Sequence, residues 1–97
     1  MTGSNTEAVQ VPLYCQAVGA ILRLAAELFP RIDQKGEDQA ALLSAWRGLR
    51  ETVRLLCDRR AMELSLVEAY SLRTALWFCP PGPDQDFLRA QTWTERG

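Results

Sequence analysis

Pro12 and Pro30 bracket a stretch of chain with almost no place for water. Pro12 suits the first turn of a helix, where a missing N–H costs nothing, and Pro30 cannot continue one, so a first helix is predicted over residues 12–29. At about 100° per residue, its leucines and alanines together with Tyr14, Cys15, Val18, Ile21 and Phe29 cover most of the circumference. Only Gln16, Arg23 and Glu27 form a polar seam. A helix that is apolar on nearly every side has to be covered on nearly every side. A chain of 97 residues that folds alone hides only about 60 to 65% of its unfolded surface. Part of the covering is therefore expected from a second copy or another protein.

Most of the remaining chain reads as helix as well. Residues 30–37 collect turn formers and charges and are expected to form a surface loop, with Glu37 and Asp38 placing negative charge at the start of the next helix. That second helix, over 38–59, carries Leu42, Trp46, Leu49, Val53 and Leu56 alternately four and three apart, a seam for a neighbouring helix. Arg47, Arg50, Glu51, Arg54 and Asp58 gather on its other side and are expected to face water. Ala41, Ser44, Gly48 and Thr52 make a strip of small residues. Either a neighbour approaches closely there, or Gly48 simply costs about 1 kcal/mol of helix propensity.

After a break around 58–64, Ser65 and Glu68 have the spacing of a capping box, which opens a third helix over 66–79. This helix repeats the oddity of the first, with apolar side chains all round and only Glu68 and Arg73 charged. The run Cys79-Pro80-Pro81-Gly82-Pro83 stops it. Residues 11–79 thus form a three-helix core and residues 80–97 a proline-hinged arm. A short fourth helix capped by Asp84 would display Phe87, Leu88 and Trp93 on this arm. The arm either docks on a partner or folds back over the first or third helix. Residues 1–10, polar and small, read as a loose tail with no signal-peptide pattern.

Chemistry is sparse. Histidine is absent and lysine occurs once, at Lys35, which removes the commonest general base and most nucleophile pairs. No glycine-rich phosphate loop is present. The acidic pairs Glu37/Asp38 and Asp84/Asp86 lie where helix N-termini favour negative charge, so they are read as capping rather than metal-binding residues. No catalytic residue, cofactor or metal is expected. Cys15, Cys57 and Cys79 are odd in number and far apart, and are read as buried thiols in a reducing compartment, the cytoplasm or nucleus. A membrane role is not expected, because Arg23 and Glu27 would sit inside any span built on the first helix.

These readings converge on an all-α protein, a small three- to four-helix bundle that oligomerises, with the first and third helices central. The expected function is a non-catalytic protein-interaction module. It would act as a homodimer or as a subunit or adaptor of a larger complex, anchored by Ile21, Leu22, Leu28, Phe29, Tyr70, Leu72 and Trp77, with Phe87 and Trp93 on the arm. The alternative is a small dimeric nucleic-acid-binding regulator that uses Arg47, Arg50, Arg54, Arg59 and Arg60. Against it, the third helix lacks base-reading polar side chains.

Overall fold

The computed structural model describes residues 10–34, 36 and 38–95; residues 1–9 of the expected tail, Lys35, Glu37 and the last two residues lie outside them. The chain is all-α, with helices α1 (Leu13–Leu28), α2 (Gln39–Arg59), α3 (Leu66–Leu76) and α4 (Pro83–Ala90). Two very short strands, β1 (Glu63–Leu64) and β2 (Thr94–Glu95), complete it.

Local chemistry explains where each helix starts and stops. Pro12 precedes α1 and its carbonyl accepts from the N–H groups of Cys15 and Gln16. Pro30 does not open a loop, as expected, but sits in the first turn of a 3-10 helix over Phe29–Asp33, where its missing N–H has no partner to lose. Asp38 caps α2 by accepting from the Ala41 N–H at 3.1 Å. At the other end Arg60 turns left-handed, φ 55°, and donates its N–H to Leu56 O. The capping box of α3 forms as predicted: the Glu68 N–H donates to Ser65 Oγ, and the Ser65 N–H donates to Glu68 Oε1.

α3 ends earlier than the predicted residue 79, because the N–H groups of Trp77, Phe78 and Cys79 each reach back only three residues. Carbonyls at this end also take side chains from elsewhere in the chain. Gln85 Nε2 donates to Leu76 O at 2.7 Å and to Cys79 O at 3.3 Å, and Arg31 Nη1 donates to Phe78 O at 2.8 Å. Asp84 is not the cap of α4, as expected. That position belongs to Gly82, and Asp84 instead receives a bidentate pair of bonds from Arg23 at 2.9 and 2.8 Å.

Packing corrects the expectation that the first and third helices are central. α1 lies chiefly against α2, which also carries α3, while α4 folds back onto α1; α1 and α3 share little contact. Of the two dispositions expected for the segment after the prolines, residues 83–95 take the one that folds back. Leu88 is wholly buried, and β2 pairs in parallel with β1, Glu63 opposite Thr94 and Leu64 opposite Glu95. By length and composition Leu13–Asp33 could cross a membrane, with mean hydropathy 1.2, but here it packs as the helix that α2 and α4 share.

The core is built from leucines and alanines with Ile21, and none of the three tryptophans, two tyrosines and three phenylalanines is buried. Nor do all the thiols sit inside: Cys79 is buried, Cys15 is half-buried and Cys57 is exposed. The small-residue strip of α2 is where α3 comes close. A methyl built on Gly48 would stand 3.8 Å from the Ala75 Cβ and 4.0 Å from Ser71 O. Both are ordinary contact distances, so Gly48→Ala is expected to raise the unfolding free energy in urea by about 0.5 to 1 kcal/mol through helix propensity alone.

Candidate functional site

α3 presents two opposite arcs. Leu72, Ala75 and Leu76 face inward and are buried against α2 and the core. Leu66, Tyr70, Arg73 and Trp77, at positions i, i+4, i+7 and i+11, make a stripe on the far side, and all four are exposed. Leu66 is 72% exposed, Val67 75%, Tyr70 72% and Trp77 81%. Single apolar residues on a surface are ordinary, but four large ones along three turns of one helix form a contiguous patch of the kind that marks interaction sites.

The orientation of this stripe is set by polar contacts at both ends of the helix. Glu68, inside the capping box, also receives Arg59 Nη1 at 2.7 Å and Nη2 at 3.0 Å, and Arg59 Nη1 further donates to Glu63 O. Arg59, first, and the Ser65 N–H, second, favour the charged form of Glu68, whose pKa is lowered from 4.5 to about 2. Gln85 and Arg31 hold the far end. With Glu68 drawn toward α2, the stripe on the opposite arc is turned outward.

Two open grooves flank it. One, of about 590 Å³, lies between the first half of α3 and the chain before β2, with Leu66, Val67, Tyr70 and Trp93 among its walls. The other, of about 510 Å³, runs between the end of α3 and α4, past Trp77, Pro81 and Arg89. Arg73 borders both, and neither is lined by a carboxylate. Arg73 and Arg89 have no hydrogen-bond or ion-pair partner among the described residues.

The expected anchors divide. Tyr70 and Trp77 stand on the exposed stripe, whereas Ile21, Leu28 and Leu72 are fully buried within the protomer and are corrected from interface to core residues. Phe87 and Trp93 are half-buried against that core. Leu22 and Phe29 are 45% and 56% exposed, but the Phe29 ring leans on Trp46 at 5.5 Å, and the Arg50 guanidinium covers Trp46 at 5.1 Å. That patch is already partly satisfied within the chain. Leu66 and Val67 are additions that the structure makes to the expected anchors.

The arginine face of α2 is less basic than the sequence suggests. Arg54 is clasped between Glu51 and Asp58, and Arg59, with its side chain only 14% exposed, is spent on Glu68. Arg47, Arg50 and Arg60 remain exposed. Burial pushes the Cys79 thiol up to about 11, which keeps it protonated, and its Sγ lies 3.5 Å from Ala75 O. Among the described residues no three acidic, cysteine or histidine side chains gather to hold a metal ion. No protein-family model, curated protein or solved structure matches this chain.

Two outcomes follow for stability. Tyr70→Ser and Trp77→Ser should each change the unfolding free energy by no more than about 0.5 kcal/mol, whereas Leu72→Ala, on the same helix, should cost about 2 to 5 kcal/mol in urea titrations. Because the pKa of folded Glu68 is depressed, its stabilising contribution is complete above 4.5, the ordinary value, and lost as pH falls toward about 2. Acid titration of unfolding should therefore show a stability loss in that window that Glu68→Gln diminishes.

Proposed function

We propose that this protein is a non-catalytic interaction module, a small helical bundle whose α3 face associates with a protein surface. The single observation that carries the reading is the exposure of Leu66, Val67, Tyr70 and Trp77 on one side of a helix whose opposite side is fully packed. Tyr and Trp are the residue types that dominate binding hot spots, since each offers a large, stiff apolar body with a polar edge. Polar contacts at both ends of α3 hold the face in place before any partner arrives, which lowers the ordering cost of association. The partner is a protein, either a second copy or another subunit. Three free thiols suit a reducing compartment such as the cytoplasm or nucleus.

Nucleic-acid binding by the α2 arginines is the weaker reading. Two of the five arginines are already neutralised by carboxylates of the same chain, and an arginine that does not meet a phosphate adds nothing to the counterion release such binding relies on.

Photo-crosslinking side chains placed in turn at positions 66, 70 and 77 and, as controls, at 33 and 47 test the proposal in the native host. A discrete adduct from the α3 positions, weak or absent from the controls, is the expected result. Adducts confined to the controls would move the interaction elsewhere, and adducts from none of the five would remove the basis of the proposal.

A further inference from the structure

We infer that the groove between the end of α3 and α4 receives an acidic segment of another protein, with a carboxylate seated between Arg73 and Arg89 and a neighbouring apolar side chain on the Trp77 indole. The inference rests on the interaction role proposed above and names the chemistry of its partner. Two observations carry it, one of charge and one of hydrogen bonding.

Arg23, Arg54 and Arg59 meet carboxylates of their own chain. The groove at Trp46 that holds Arg47, Arg50 and Arg54 also holds Glu51, and the groove past Arg23 also holds Asp84. The groove of about 510 Å³ at the end of α3 is different. Arg73 and Arg89 both line it, no carboxylate does, and neither guanidinium has a hydrogen-bond or ion-pair partner among the described residues. Each stands in the last turn of its helix, where the dipole favours a cation. The dipole does not account for two of them in one groove. A cleft lined by a single sign of charge concentrates its field on an incoming ion of the other sign, and the guanidinium fork matches the two oxygens of a carboxylate.

The wall of the same groove selects a peptide among anions. Gln85, 8% exposed, belongs to that wall, and its Nε2 donates to Leu76 O and Cys79 O. Both N–H bonds of the amide are thereby committed, while its Oε1 accepts from no donor among the described residues. A buried amide oxygen calls for an N–H. A peptide backbone offers one within reach of its own acidic side chain, and a phosphodiester backbone offers none. Arg73 also borders the groove of about 590 Å³ walled by Leu66, Val67, Tyr70 and Trp93, so apolar residues next to the acid continue along α3. A second copy laid face to face would bring more arginines and no carboxylate, which makes the partner a different chain.

Panning the full chain against a random-peptide display library tests this chemistry directly. The expected result is enrichment of Asp and Glu beside aromatic or aliphatic residues. A synthetic peptide of the consensus should bind the full chain, and Arg73→Gln combined with Arg89→Gln should weaken it about tenfold or more. Arg47→Gln should leave binding unchanged, with thermal melts followed by circular dichroism showing the helices intact in every variant. Changing the acidic residue of the peptide to its amide should cost a similar factor with the unaltered chain and little more with the double variant. Selection of no peptide, selection of peptides without acidic residues, or equal binding by the double variant overturns the inference. So does single-stranded DNA that binds the full chain and not the double variant while no peptide is selected, which would assign the arginines to phosphate. A crosslinked adduct from position 70 that maps to a segment without Asp or Glu, or to a second copy of this chain, overturns the acidic partner and leaves the interaction role standing. No adduct and no selected peptide would remove both.

Discussion

α3 is gripped by its ends. At its start one carboxylate, Glu68, binds the N–H of the helix's own N-cap, Ser65, and the guanidinium of Arg59 from the end of α2. At its finish Gln85 reaches Leu76 O, which also accepts from the Cys79 N–H, and Cys79 O, and Arg31 reaches Phe78 O. Unmet backbone groups at a packed helix end cost about 1 to 3 kcal/mol each, so these contacts define where the helix sits and how it is rotated. Between the two grips only one narrow arc, Leu72, Ala75 and Leu76, is needed for the core. The opposite side is left without covering, and the functional reading rests on that geometry.

The distribution of side-chain types points the same way. The interior is filled by leucine and alanine, which pack without any polar atom to satisfy, and the eight aromatic rings are displaced to the boundary. Some of them find partial cover: Phe29 on Trp46, and Phe87 and Trp93 against the edge of the core. Tyr70 and Trp77 find little among the described residues. α1, which reads as the most water-averse segment, is covered on one side by α2 and α4, the latter tied by Arg23 and Asp84, while Leu13 and Leu22 stay exposed. Exposed large apolar side chains thus occur on both helices, Leu13 and Leu22 on α1 and the more exposed Leu66, Val67 and Tyr70 on α3.

Legibility in the sequence divides along physical lines. Features whose cause is local are readable there: the start of α1 after Pro12, Asp38 at the head of α2, and the Ser65/Glu68 box. Features set by residues distant in the chain are not. Nothing near Gln85 or Arg31 announces that they cap α3, and two-residue strands are too short to show alternation. The rotation of α3 is hidden for another reason: with apolar residues on every side, periodicity alone assigns no inner face. Leu72 therefore reads like Tyr70 and Trp77 in the sequence, although burial separates them completely.

The pairing of β1 with β2 has a consequence for how the molecule comes together and apart. Its two partners lie about 30 residues apart in sequence, and closing so long a loop costs roughly 3 kcal/mol of chain entropy, more than a few backbone bonds return at about 1 kcal/mol each. The clasp can close only after α3 and α4 have already brought its halves side by side. It is a latch that shuts last and opens first, so exchange of its amides with solvent would register the loosening of the C-terminal half before any helix gives way.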